Sequence, residues 1–343
     1  MIQALNTLYV MTPGAYVRLD HDTLKVEIER EVRLQVPLLH LGGITCFGNV
    51  LLTSAVIHRC ADEGRSIVLL DGNGHFKARM VGKTSGNVLL RRAQHEAAMS
   101  NERAAAIARN SVAGKLQNSR QVVLRAGREA ITTDDTAAFA DAARRIADSI
   151  RRLGVSQSGD QIRGYEGEAA RTYFSVFDRM IRSEREEFRF SGRVRRPPIG
   201  RTNALLSFLY ALLLNDCVAA CEGVGLDPQV GFLHAIRPGR PALALDLIEE
   251  FRAYIADRLV LTLINRQQLR ANDFEILPGG AARLTDAARK RVVVAYQERK
   301  RVEVNHPVLG RAVPIGIVPH VQAQLLARHL RGDLAAYPPF RAR

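Results

Sequence analysis

The stretch VGKTSGNVLLRRAQHEAA, residues 81–98, divides the sequence into two parts with different patterns of apolar residues. Before it, apolar residues alternate with polar ones, which is typical of half-buried strands. After it, they recur every three or four residues, which is typical of amphipathic helices. Polar and glycine residues from Gly82 to Asn87 separate the two patterns. We therefore predict a two-domain α+β protein, with a small N-terminal β-rich domain at residues 1–86 and a larger all-α C-terminal domain at residues 87–343.

The N-terminal domain is predicted to begin with three half-buried antiparallel strands, because apolar residues alternate strictly in three segments. These segments are Val17 to Leu19, TLKVEIE at 23–29 and EVRLQV at 31–36. The segments that follow are predicted to be a strand, a helix, a strand buried on both faces, and a turn with a last strand. They are ITCF at 44–47, SAVIHRCADEG at 54–64, SIVLLD at 66–71 and DGNGHFKARM at 71–80.

The C-terminal domain is predicted to be helical throughout its main segments, which are residues 89–127, 133–153, 168–181, 202–225, 243–264 and 319–334. The longest apolar run, Ala204 to Leu214, is shorter than the roughly 20 residues of a membrane span and predicts a buried helix. The first twenty residues also lack a secretory signal pattern. We expect no membrane contact and a cytoplasmic location.

The formal net charge of +14 indicates a polyanionic partner, with nucleic acid favoured over an anionic membrane. Most of the 49 basic residues are arginines, which suit bidentate phosphate contacts, although a genomic bias toward arginine explains that choice equally well. Two basic stretches, residues 189–201 and 289–301, fit either a phosphate-binding groove or a solvated surface. The candidate nucleic-acid contacts in them are Arg189, Arg193, Arg195, Arg196, Arg201, Arg289, Lys290 and Arg291.

Several common site motifs are excluded by their spacing. VGKTSG resembles a phosphate-binding loop, but the first glycine of that motif would fall at Lys77. A dinucleotide-binding fingerprint and the nucleophile motif Gly-x-Ser-x-Gly are both missing from the sequence. The four cysteines lack the spacing of a zinc site or a disulfide framework, and we predict that they are reduced and buried.

A set of acidic residues and a histidine near apolar helices remains as the candidate site. Glu166 shares a predicted helical face with Tyr173, so its carboxylate is directed toward packed surface. In the stretch Gly231 to Arg252, His234 lies in a loop before a helix predicted to begin at Pro241.

Within the helix predicted to begin at Pro241, Glu249 borders the apolar face and Asp246 lies one turn before it. Glu250 points more toward solvent. Each group has an ordinary structural interpretation: an arginine partner for Glu166, a satisfied loop histidine, and a solvated acidic face. The alternative is that Glu166, His234 and an acid of this helix form an open site for Mg²⁺ or Mn²⁺. Spacing alone leaves both interpretations open.

Three long segments resemble the signature segments of the Cas1 family, the integrase and endonuclease of CRISPR adaptation. They are GYEGEAARTYF at 164–174, NALLSFLYALL at 203–213 and GLDPQVGFLHAIRPGRPALALDLIEEFR at 225–252. The segment at 306–340 resembles the branch of type I-C systems. The likeness runs nearly end to end, with departures at Ala242, where many relatives have serine, and in the arginine-rich loop before Thr202.

The resemblance implies a β domain used for dimerisation and a helical catalytic domain. It implies that Glu166 rather than Glu168, together with His234 and Glu249, is both catalytic and a ligand of Mg²⁺ or Mn²⁺, with Asp246 as a supporting acid. The implied reaction is transesterification, in which a DNA 3′-OH attacks a phosphodiester at the edge of a repeat. The implied partners are double-stranded DNA, Cas2 and a second copy of the chain.

Two other functions remain compatible with the same residues. One is a stand-alone metal-dependent nuclease of branched DNA, which uses water as the nucleophile. The other is a nucleic-acid-binding scaffold without catalysis, in which the acidic groups are structural.

Overall fold

The computed structural model describes residues 6–72, 76–80, 82, 88–156 and 158–342. Its described residues up to Met80 form two sheets and one α-helix. The elements are β1 (Asn6–Val10), β2 (Tyr16–Asp20), β3 (Thr23–Ile28), β4 (Glu31–Pro37), β5 (Leu41–Phe47), β6 (Leu51–Leu52), α1 (Ser54–Asp62), β7 (Ser66–Leu70) and β8 (Phe76–Met80). In the described part, the strand orders are β1-β5-β7-β8 and β4-β3-β2-β6.

The strand pairing follows the sequence pattern in part. Strands β2, β3 and β4 pair antiparallel, as predicted. Strands β1, β5 and β7 run parallel, and β8 returns antiparallel to β7. The neighbours Ile67 and Val68 of β7 face opposite sides and are both buried, which confirms a strand covered on both faces. The sequence pattern did not predict β1 or the two-residue β6.

The strands of this part differ in how many of their apolar residues are buried, and β4 is largely exposed. Val17, Leu24 and Ile44 are fully buried in the apolar core of this part. The prediction that β4 is half-buried is wrong, because Val32 and Leu34 are 40% and 43% exposed. Strand β4 lies at the edge of its sheet, and alternation in sequence cannot tell whether a second layer covers the apolar face.

The remaining described residues form helices and two hairpins. The helices are α2 (Val88–Met99), α3 (Asn101–Arg128), α4 (Thr133–Gly154), α5 (Gly159–Ser175), α6 (Arg201–Val224), α7 (Ala242–Glu249), α8 (Arg258–Asn265), α9 (Asp286–Arg301) and α10 (Val318–Leu330). The hairpins pair β9 (Phe274–Ile276) with β10 (Ala282–Leu284) and β11 (Glu303–His306) with β12 (Arg311–Pro314). The predicted α+β class is confirmed, and the hairpins are an addition that the helical pattern did not predict.

Helix α6 is the central apolar helix of this part. By length and composition it could cross a membrane, but 56% of its most apolar window is buried inside the protein. Leu205, Leu209 and Cys217 along it are inaccessible to solvent. The prediction of a buried helix is therefore confirmed, and so is the burial of the four cysteines.

The helix predicted from residue 243 to 264 is interrupted in the structure. Helix α7 ends at Glu249, a π-helical segment covers Arg252–Asp257, and α8 continues to Asn265. Single wide turns of this kind frequently accompany functional sites, because they turn side chains away from the regular helical register. Here the π-helical segment contributes Arg252 and Asp257 to the pocket described below.

The chain divides into two compact units, Met1–Ser85 and Gly86–Arg343. The domain boundary predicted after residue 86 falls among residues 83–87, which lie outside the described residues. The turn predicted around residues 73–75 also lies outside them.

Candidate metal centre

A buried carboxylate, Asp246, organises the loop that carries His234. Its Oδ2 accepts hydrogen bonds from the backbone N–H groups of Phe232 and Leu233, at 2.5 and 2.9 Å. Its Oδ1 accepts the backbone N–H of His234 at 2.9 Å and lies 2.7 Å from His234 Nδ1. Since a carboxylate only accepts, this contact places the imidazole proton on Nδ1 and leaves Nε2 free to act as a ligand.

Glycine at position 231 allows the loop to approach helix α7 this closely. A Cβ at Gly231 would lie 2.6 Å from the carbonyl carbon of Ala242 and 2.7 Å from Asp246 Oδ2. Any larger residue would push the loop, and with it His234, away from α7. Asp246 therefore fixes this loop, because its carboxylate accepts the N–H groups of three consecutive loop residues.

Glu249, the last residue of α7, is buried and surrounded by cations. Its Oε1 lies 2.6 Å from Arg252 Nη1 and 3.9 Å from His234 Nε2. Its Oε2 lies 2.7 Å from Lys115 Nζ. Burial alone would raise the pKa of Glu249, but the charges of Arg252 and Lys115 outweigh burial and lower that pKa to about 2. The carboxylate is therefore ionised throughout the physiological pH range.

Glu166 approaches the same lysine from helix α5. This helix begins at Gly159, where the Ser158 hydroxyl accepts the N–H of Gln161, so Glu166 lies two turns into a capped helix. The Lys115 ammonium, on α3, forms an ion pair with Glu166 as well as with Glu249. Burial lowers the pKa of Lys115, but the two carboxylates outweigh it and raise that pKa above its ordinary value, so the lysine is charged.

Glu168, the neighbouring acid, lies elsewhere. Its two carboxylate oxygens accept from the same nitrogen, Arg152 Nη2, at 2.7 and 2.8 Å on the exposed surface of the helix. The geometry therefore links Glu166, and not Glu168, to Glu249 through the shared Lys115 ammonium.

The donor set suits a hard divalent cation, although a lysine lies within it. No group of three or more His, Cys, Asp or Glu side chains in the described part of the chain is arranged around a vacant metal position. The Lys115 ammonium lies between the Glu166 and Glu249 carboxylates and pairs with both. Apart from that ion pair, Glu249 Oε2 is a buried oxygen without a hydrogen-bond partner among the described residues. Two carboxylates and an imidazole nitrogen fit Mg²⁺ or Mn²⁺.

The carboxylates open into a pocket whose other wall is basic. The pocket is lined by Glu166, Glu249 and Lys115. Its lining also includes three arginines and three further polar residues, which are Arg193, Arg195, Arg252, Tyr173, Tyr210 and Asp257. A phosphate group entering this pocket would meet guanidinium groups beside the carboxylates.

The pocket is also lined by Asp257, a buried and hydrogen-bonded acidic residue that the sequence did not indicate. Tyr173 and Tyr210 donate their hydroxyl protons to Asp257 at 2.9 and 2.6 Å. Burial raises the pKa of Asp257 to about 6. The sequence analysis also did not select Lys115 or Arg252. Lys115 carried an available signal, because it is one of only six lysines in an arginine-rich sequence and lies among the apolar residues of a helix.

The structure separates the candidate basic residues into groups. Arg193 and Arg195 line the pocket, and Arg193 also bonds Asn203 and Ser207 at 3.0 and 2.9 Å. Arg189, Arg195, Arg196 and Lys290 are exposed. The others form ion pairs with acidic neighbours and do not line this pocket: Arg201, Arg289 and Arg291.

The prediction that Glu250 points toward solvent is wrong, since this residue is inaccessible to solvent. Its carboxylate accepts hydrogen bonds from the Tyr337 hydroxyl at 2.6 Å, the Phe340 N–H at 2.7 Å and Gln322 Nε2 at 3.1 Å. The C-terminal segment and α10 therefore cover Glu250, the residue that follows α7. Burial raises the pKa of Glu250 to about 8.

Fold and pocket together define a class, namely α+β proteins whose helical unit holds two carboxylates and three arginines in one pocket. The chain belongs to the Cas1 family, because the family model for CRISPR associated protein Cas1 matches residues 8–298.

Two curated relatives are similar over almost their whole length. CRISPR-associated endonuclease Cas1 1 of Moorella thermoacetica is 59% identical over 336 residues, which cover 98% of each chain. CRISPR-associated endonuclease Cas1 2 of Rhodospirillum rubrum is 51% identical over 344 residues, which cover 99% of each chain.

Solved structures agree in fold. A casposase bound to an integration product has a TM-score of 0.80 at 24% identity, covering 96% of this chain and 92% of its own. A chain of a Cas6-RT-Cas1–Cas2 complex has a TM-score of 0.83 at 21% identity, covering 99% of this chain and 36% of its own.

Proposed function

We propose that this protein is an integrase of CRISPR adaptation, which joins the 3′-OH ends of short DNA fragments to phosphodiesters of a repeat array. The observation that carries the proposal is the single pocket in which Glu166 and Glu249 face Arg193, Arg195 and Arg252. Membership of the Cas1 family and 59% identity to a protein named as an endonuclease support the same chemistry. We also propose the type I-C branch, on the resemblance of the segment at residues 306–340.

The proposed ligands of Mg²⁺ or Mn²⁺ are Glu166, His234 and Glu249. Such a cation, when bound, orients an attacking hydroxyl and stabilises charge on phosphoryl oxygens. The protein's own contribution is preorganisation. Asp246 fixes the orientation and tautomer of His234, and the nearby cations keep Glu249 ionised.

The arginines of the pocket supply the second part of the chemistry. Arg252 lies beside Glu249 with its Nε buried and unpaired among the described residues, and Arg193 Nε is in the same situation. Guanidinium groups so placed can hold the scissile phosphate and offset its charge without reorganisation. No covalent intermediate with the protein is required, because one phosphodiester is exchanged for another.

The proposed partners are double-stranded DNA, Cas2 and a second copy of the chain, in the cytoplasm. The net charge of +14 supports DNA binding. A structural neighbour of this chain belongs to a complex that contains Cas2, which supports that partner. We assign dimerisation to the N-terminal β-rich unit.

The testing experiment incubates the protein with Cas2, a 3′-OH duplex, a supercoiled plasmid carrying the repeat, and Mn²⁺. Joined products are expected with the wild type and with Glu168→Gln, because the Glu168 carboxylate pairs with the surface residue Arg152 and does not line the pocket. Glu166→Gln is expected to abolish joining, because the amide removes a charged ligand. Equal joining by Glu166→Gln and Glu168→Gln would contradict the assignment of the site.

The relatives' name, endonuclease, favours a nuclease as a second candidate function, and we propose branched DNA as its substrate. Water would then replace the 3′-OH as the nucleophile, with the same residues. In the same assay, nicked plasmid without joined product would support this nuclease, and binding without either product would support a scaffold.

A further inference from the structure

Lys115 places a positive charge between the two carboxylates of the pocket. Its ammonium contacts both Glu166 and Glu249, with 2.7 Å between Nζ and Glu249 Oε2. The lysine side chain is 13% exposed and that of Glu249 only 3%. Two carboxylates that converge in such a place repel each other strongly unless a cation lies between them.

The backbone around Lys115 is fixed in place. The neighbouring Gly114 lies so close to the C-terminal segment that a Cβ there would approach Pro339 Cβ to 2.9 Å. One turn further along α3, the Asn118 side-chain amide donates to the carbonyl oxygens of Glu250 and Phe340 at 2.8 and 3.0 Å. Helix α3 is therefore attached to the end of α7, directly beside Glu249.

The lysine side chain, in contrast, is a four-carbon stem with several rotatable bonds, and it lines the pocket. An ammonium group is a compact charge without the fixed planar geometry of a guanidinium. It can leave the carboxylates and turn toward the open pocket while the backbone stays in place. A divalent cation would use the same carboxylate oxygens with twice the charge.

We infer that Lys115 is an internal counter-ion of this site, which holds Glu166 and Glu249 together in the metal-free protein and competes with a divalent cation for them. The inference rests on the proposed function, because it assumes that the carboxylates bind a metal. Lys115 thereby sets the metal affinity, and it preserves the arrangement of the ligands until the metal binds.

The first test measures Mn²⁺ binding to the full-length protein by the electron paramagnetic resonance signal of free Mn²⁺. Lys115→Met keeps the length of the apolar stem and removes the charge. We expect the Kd for Mn²⁺ to fall about tenfold, which corresponds to about 1.4 kcal/mol. The matched control is Lys300→Met, because Lys300 forms a similarly enclosed ion pair with Asp216 at 2.9 Å and does not line the pocket. Its Kd is expected to equal that of the wild type.

The second test needs no metal. In EDTA, Lys115→Met is expected to lower Tm by on the order of 5 °C, because the carboxylates are left uncompensated. Adding Glu166→Gln to Lys115→Met removes one of the repelling charges and is expected to restore part of that loss.

The outcomes distinguish this inference from the proposed function. An unchanged or higher Kd for Mn²⁺ in Lys115→Met, with normal binding by the wild type, overturns the competition. Failure of both proteins to bind Mn²⁺ overturns the proposed metal site. A double variant no more stable in EDTA than Lys115→Met overturns the counter-ion role itself.

Discussion

Replacing Asp246 by asparagine gives the sharpest test of how the site is built. The native carboxylate accepts three backbone N–H groups and faces His234 Nδ1, with two donors on each oxygen. An asparagine offers one acceptor oxygen, and its NH₂ group would confront the donors on the other side. At least two buried, charge-assisted hydrogen bonds are lost, each worth about 1.5–3 kcal/mol.

We therefore expect Asp246→Asn to reduce the free energy of unfolding by about 3 kcal/mol or more. We also expect Mn²⁺ affinity to fall about 10- to 100-fold, because the imidazole loses the partner that fixes its tautomer. Urea denaturation followed by far-UV circular dichroism measures the first effect, and Mn²⁺ titration the second. The control is Asp227→Asn, since Asp227 Oδ1 accepts the Gln229 N–H in an exposed turn.

Asp246→Asn is therefore expected to be much more destabilising than Asp227→Asn. A loss of less than about 1 kcal/mol in Asp246→Asn would refute it, because such a loss is too small for two buried hydrogen bonds to a charged group. Unchanged Mn²⁺ affinity would separately refute the role of Asp246 in orienting His234.

Three further outcomes are expected. His234→Ala abolishes strand transfer while duplex binding in a mobility-shift assay stays largely intact, and joining by this variant would remove the imidazole from the site. Replacing Arg195 and Arg196 by glutamine weakens DNA binding and flattens the plot of log K against log [salt] by about 0.9 per lost phosphate contact; an unchanged slope would assign this loop to solvated surface. Burial raises the pKa of Asp257 from 3.8 to about 6, so its contribution to stability is present below pH 4 and is lost as pH rises through 6. Between pH 4 and pH 7, the unfolding free energy of the wild type should therefore fall by about 3 kcal/mol relative to Asp257→Asn in urea titrations, and parallel pH profiles would contradict the burial of this charge.

Local patterns predicted much of the fold, because each helix or strand buries one face at its own period. The alternation at residues 23–29 and the helical spacing at residues 202–225 correspond to β3 and α6. The same reasoning failed for β4, whose apolar residues are exposed, since alternation carries no information about the layer that would cover them.

Glu250, which follows helix α7, shows the opposite error, since a residue predicted to be exposed is buried. A helical projection places it on the solvent side because it lies beyond the apolar face. The groups that cover it come from Gln322 and Tyr337, 72 and 87 residues further along the chain. The pattern of apolar residues within one helix cannot predict contacts with residues so distant in sequence.

The sequence by itself predicted the α+β class, most of the helices, and a candidate site of Glu166, His234 and an acid of the following helix, for which the family resemblance implies Glu249. The tertiary structure alone decided how these residues meet. It directed Asp246 to the loop of His234, and it inserted Lys115 between carboxylates that are 83 residues apart in sequence. The physical reason is that burial and charge compensation depend on which elements pack together, and contacts across the chain set that packing after local periodicity has set the elements.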